Sequence, residues 1–156
     1  MNAEKFMEMA CKEALEGIIA QEGGPFGAVV VKDGKAIAAG HNRVLSARDS
    51  TAHAEINAIR KAEQLLGSHD LTGCELYTTS FPCPMCLGAI MWARIGKVYY
   101  GTSAEEVAEV GFDDKAFYEA IMMLKANDQV HLVHENSEAC RNLFKQWMKM
   151  ENRELY

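Results

Sequence analysis

Long apolar runs are missing from this 156-residue chain, and no stretch approaches the 18 or more residues that a membrane-spanning helix requires. Net positive charge is missing too. The formal balance is −6, whereas a protein that grips a long polyanion normally shows a basic face. The expectation therefore shifts towards a small neutral substrate and away from nucleic acid. Cysteine is too scarce and too odd in number for a disulfide framework: five residues cannot all pair, which fits a reducing cytoplasm. The first nine residues are polar and charged at helical spacing, unlike a secretory leader. No segment reads as a linker, an internal repeat or a low-complexity tract, so the length suits one domain with a proper core.

What the chain does have is two short clusters, His53-Ala54-Glu55 and Pro82-Cys83-Pro84-Met85-Cys86. A neutral imidazole and two thiolates are good zinc ligands, and three protein ligands leave a fourth tetrahedral position for water. Such a water loses its proton near neutral pH. Glu55, two residues beyond the imidazole, is placed to take that proton. The pattern H-x-E followed by P-C-x-x-C marks zinc nucleobase deaminases.

Both clusters sit where a helix should begin. Ile56, Ile59, Ala62 and Leu66 run at helical spacing up to Gly67, and Pro84 suits the first position of a second helix carrying Met85, Cys86, Ala89, Ile90 and Ala93. On a helix flank, residues two apart diverge by about 200°, but at a helix start both can reach an object near the axis end. A helix start also favours thiolate. A closed structural zinc site is the competing reading. It needs a fourth ligand from Cys11, Cys74, Cys140, His41, His69, His131 or His134, and none of these forms a second metal-ligand pair. It also leaves Glu55 without a task.

Along the chain, residues 3–20 suggest a first helix, with Phe6, Met9, Ala10, Leu15, Ile18 and Ile19 as its apolar members. A β-branched run over 27–31, the Asp33-Gly34 turn and residues 36–40 read as a hairpin. Residues 41–50 read as a loop, 75–79 as a third strand and 97–101 as a fourth, parallel to the third through its crossover helix. Short helices are expected over 104–110 and 116–125, then a fifth strand over Val130–His134. A last amphipathic helix over 137–150 should bury Leu143, Phe144, Trp147 and Met148. The fold class is α/β: a three-layer α/β/α sandwich with a five-stranded mixed sheet and both metal clusters at strand-to-helix passages.

With these residues in view the chain resembles the cytidine deaminase superfamily over nearly its whole length, and within it the bacterial guanine deaminase branch. The matching stretches are Gly24-Pro25-Phe26-Gly27-Ala28-Val29, Thr51-Ala52-His53-Ala54-Glu55, Pro82 to Ile90, Gly111-Phe112-Asp113-Asp114 and the final Tyr156. The resemblance implies Zn²⁺ on His53, Cys83 and Cys86, Glu55 as the catalytic acid–base, and Phe26, Asn42, Ala54, Asp114 and Tyr156 as substrate contacts. It implies one deaminase domain over 1–156, in a cytoplasmic homodimer exchanging C-terminal segments, with the 150–156 tail meeting the partner subunit. One position departs. The residue before the Pro-Cys pair is commonly Glu in guanine and tRNA adenosine deaminases and is Phe81 here, which bears on substrate choice.

Guanine to xanthine is the reaction so implied. The alternatives are tRNA adenosine deamination, another nucleobase or nucleoside, or a non-enzymatic zinc module. Segment 103–119 holds six acids against Lys115, which would repel a phosphate backbone. Arg141, Lys145, Lys149 and Arg153 recur every four residues and read as a solvated helix face. Asn42 also reads as a turn residue, and Asp113-Asp114 as a helix cap.

Overall fold

The computed structural model describes residues 2–112, 114–122, 134, 137–151 and 154. Two compact units emerge, Met1–Tyr118 and Glu119–Tyr156.

In the first unit the elements run α1 (Asn2–Ile19), β1 (Gly27–Lys32), β2 (Lys35–His41), α2 (Val44–Ala47), α3 (Ala54–Leu66), β3 (Cys74–Ser80), α4 (Pro84–Trp92), β4 (Lys97–Thr102) and α5 (Ala104–Glu109). A further helix, α6 (Lys115–Met122), begins in this unit, and α7 (Glu138–Lys149) belongs to the second.

Among the described residues the sheet has four strands, ordered β2-β1-β3-β4. β1 pairs antiparallel with both β2 and β3, while β3 and β4 are parallel, so the sheet is mixed as expected. Of the fifth expected strand, residues 130–133 lie outside the described residues. The hairpin turns on Asp33 and Gly34, both with positive φ (50° and 71°), as a tight two-residue connection requires.

The β1 run is apolar on both faces because both faces are covered. Ala28 and Val30 pack with Ala54, Ala58, Ile59, Leu76 and Ile90 on the side of α3 and α4. Val29 and Val31 pack with Phe6, Ala10 and Tyr77 on the side of α1. Helix, sheet and helices thus form three layers. Gly27 permits the close approach of α1, since a Cβ there would lie 2.0 Å from the Ala10 carbonyl oxygen.

In α1 the buried residues are Phe6, Ala10, Ala14 and Gly17, and Leu15, Ile18 and Ile19 are exposed. Two expectations need correction. Residues 44–47 are a short helix rather than loop. In α7 the apolar period is present, yet Leu143, Phe144 and Met148 are exposed instead of buried.

Candidate active site

The two metal clusters occupy helix caps, as the spacing required. His53 is the residue before α3, with φ −71° and ψ 160°, and Cys83 is the residue before α4, with φ −64° and ψ 165°. Neither side chain caps its own helix, so both are free to face another object. Pro84 fills the first turn of α4, where its missing N–H costs nothing.

The donors converge. His53 Nδ1 lies 3.6 Å from Cys83 Sγ and 3.5 Å from Cys86 Sγ. A tetrahedral ion with nitrogen at about 2.0–2.1 Å and sulfur at about 2.3 Å separates such donors by about 3.6 Å. Both nitrogen-to-sulfur separations therefore already match those a tetrahedral zinc ion needs, and all three donors lie within 4.8 Å of one another. Among the described residues they are the one cluster of metal-ligand type, with no fourth His, Cys, Asp or Glu joining it. Within the described residues that is the donor set of an open site.

Charge in the cluster points the same way. The S–H of Cys86, followed by His53, holds the Cys83 thiol down to about 4, whereas the neighbouring Cys83 sulfur and burial push Cys86 up. The His53 imidazole is raised, chiefly by its bond to Cys83. Two sulfurs and a buried carboxylate crowd one imidazole, a combination that a divalent cation neutralises.

Glu55 is buried in the first turn of α3. Thr78 Oγ1 donates to its Oε1 at 3.0 Å, and Cys86 Sγ lies 3.4 Å from Oε2. Burial pushes the carboxyl upwards. Thr78 reaches it because alternate residues of β3 face α3, with Leu76 and Thr78 on that side. No motif in the sequence marks Thr78, since the pair is 23 residues apart.

A second cluster of the expected residues is built from loops. Asn42 is buried just beyond β2, and its Oδ1 accepts the N–H groups of Val44 at 3.1 Å and Gly24 at 3.3 Å. With the oxygen so engaged, Asn42 offers its NH₂ group. Gly23 is obligatory beside it, because a Cβ there would stand 2.1 Å from Asn42 Oδ1. Asn57 Nδ2 ties the loops together, donating to the carbonyls of His41 at 2.8 Å and Ala52 at 3.2 Å. His41 in turn bonds Glu13 and Glu22, and Glu22 also pairs with Arg43 at 3.5 Å.

Phe26 meets Phe112 edge to face, with ring centroids 5.0 Å apart. Asp114 is half-buried just before α6, and its charge is among those that raise His53. Ala54 is wholly buried between His53 and Glu55. The structure thus gathers His53, Ala54, Glu55, Cys83 and Cys86 as one group and Phe26 and Asn42 with the Gly23-Gly24 loop; Tyr156 lies outside the described residues. Gly23, Asn57, Thr78 and Phe112 join the predicted residues.

The cytidine and deoxycytidylate deaminase zinc-binding region matches residues 1–102. The chain belongs to this family. It is 54% identical over 121 residues to the guanine deaminase of Bacillus subtilis, 78% of each chain. The X-ray structure of guanine deaminase from the same organism superposes with a TM-score of 0.94 and 44% identity, covering 100% of this chain and 99% of that one. The tRNA-specific adenosine deaminase of Agrobacterium fabrum is 49% identical over 96 residues, 62% of each chain. As a member of this deaminase family the chain uses zinc, and His53, Cys83 and Cys86 are a possible zinc site.

Proposed function

We propose that the chain hydrolyses guanine to xanthine and ammonia. The observation that carries this is the correspondence with guanine deaminase along the entire chain, whereas that with the tRNA deaminase covers less than two thirds. When bound, Zn²⁺ supplies Lewis-acid activation of water near neutral pH. Glu55 takes the water proton, passes it to a ring nitrogen and assists the departing ammonia. Thr78 orients that carboxylate. Across the site, the Asn42 NH₂ meets ring acceptors and the Asp114 carboxylate meets N–H donors, a pairing that suits guanine, which carries both kinds. Phe26 and Phe112 shape the apolar wall against the ring.

Residues 1–156 act as one deaminase domain in a homodimer, with Tyr156 closing the partner's pocket. The support is apolar surface on single helices: Met91 and Trp92 on α4 are 63% and 67% exposed, and Phe144 on α7 is 71% exposed. The five cysteines are all free, which fits the reducing cytoplasm, and among the described residues no helix is long and apolar enough to cross a membrane.

An ammonia-coupled panel of guanine, cytosine, adenine, their nucleosides, aminotriazines and tRNA tests the substrate. Guanine should give the highest kcat/KM. Preference for another member reassigns the substrate, and tight, salt-sensitive tRNA binding promotes RNA editing. For the dimer, zinc-deficient Cys86→Ser subunits mixed with a variant lacking Tyr156 should regain activity if the tail serves the partner. No regain removes the exchange.

A further inference from the structure

The segment bearing Phe112 and Asp114 is held at two points, and the second belongs to a residue with no place in the chemistry above. At one end Phe112 leans on Phe26 and on Gly24, where an added Cβ would come within 3.2 Å of the Phe112 ring. At the other, the Tyr118 hydroxyl donates to the carbonyl of Pro82, the residue immediately before Cys83. The N–H groups of Phe117 and Tyr118 both donate to the Asp114 carbonyl, at 2.9 and 3.2 Å, so Asp114 and Tyr118 belong to one helical turn. The Tyr118 ring lies 6.0 Å from Phe81, whose own ring meets Tyr100 edge to face at 5.2 Å. Phe81 is fixed in turn, its N–H donating to the Thr102 carbonyl at 2.8 Å.

We infer that Tyr118 is a positioning residue for the purine: its hydroxyl latches Asp114 to the metal loop, and Phe81 is the shelf that seats the phenol ring. The bond ends on a neutral backbone carbonyl, so it fixes distance rather than charge. It couples the carboxylate that receives the base to the loop that holds Cys83. A glutamate in place of Phe81 would offer the phenol no such ring. The inference rests on the guanine reading, because the base must lie against Asp114 for the latch to matter.

Tyr118→Phe keeps the ring and deletes the bond. Loss of one neutral hydrogen bond should raise KM for guanine about five- to tenfold, with kcat within about twofold and zinc content unchanged. Hydrogen exchange of the zinc-loaded protein without substrate should be faster over 114–118 in the variant. Phe81→Leu should raise KM in the same sense by a smaller factor. An unchanged KM overturns the latch, and so does a fall in kcat at constant KM, which would make the hydroxyl a proton-transfer group. If the wild type releases no ammonia from guanine, the guanine reading fails, and the latch then stands or falls on the exchange result alone.

Discussion

The metal-ligand half of the candidate site draws His53, Glu55, Cys83 and Cys86 from two helix starts, while the proposed base-holding half draws Phe26, Asn42, Phe112 and Asp114 from loops and the start of a short helix. On the metal side, each helix start supplies two of the four groups over three or four residues of sequence. On the base side, the partners are tens of residues apart and meet only through the fold: Asn42 with Gly24, Phe26 with Phe112. On the proposed reading the first half serves the chemical step and the second selects the ring that undergoes it. Substitutions on the two sides should therefore separate into losses of kcat and rises in KM.

The largest effect is expected where the metal is held. Cys86→Ala should abolish stoichiometric zinc and all detectable turnover, as should a strong chelator on the wild type, with activity restored by added zinc only in the latter. Metal analysis alongside the ammonia assay checks both. Next, Glu55→Gln should retain zinc yet lose about 10²- to 10⁴-fold in kcat, the range that positioned proton transfer supplies. A variant with near-normal kcat would remove Glu55 from its role.

The base side should answer differently. Asn42→Ala removes the NH₂ donor and orphans the N–H groups of Gly24 and Val44, so KM should rise about 10- to 100-fold with a smaller change in kcat. Gly23→Ala should act in the same direction by pushing Asn42 aside, since its new Cβ cannot fit at 2.1 Å. A loss confined to kcat in either variant would erase the distinction between the two halves.

This division also explains what could be read in the sequence. The ligands and Glu55 were legible because a helix start imposes its geometry over three or four residues. The order of strands and helices followed from turn signals and apolar periods at Asp33-Gly34, Gly67 and Pro84. Thr78, Asn57 and Gly23 were not legible, because each acts on a residue 16 to 23 positions away or, for Gly23, through bare proximity to Asn42. The apolar period of α7 marks a stripe, but periodicity cannot say what covers it, and Leu143, Phe144 and Met148 are exposed. In α1 the buried stripe of Phe6, Ala10, Ala14 and Gly17 is made mostly of small residues, while the larger Leu15, Ile18 and Ile19 are exposed.

The smallest predicted effect concerns the support under Asn42. The hydrogen bond from His41 holds the Glu22 carboxyl below its ordinary value, so the cluster stabilises the fold above the normal carboxylate range and loses that contribution as pH falls through the lowered pKa. Glu22→Gln should lower Tm at pH 7, and the gap to wild type should close on acidification. A gap that is constant with pH would show that the charge does not matter.

X-ray absorption at the zinc edge of the loaded protein, with and without a purine analogue, reports the coordination on which everything else rests. Two sulfurs at about 2.3 Å, one imidazole and one light donor that changes when the analogue binds are expected. A third sulfur, a second imidazole or a shell indifferent to the analogue would mean a closed site, and the hydrolytic reading would fall.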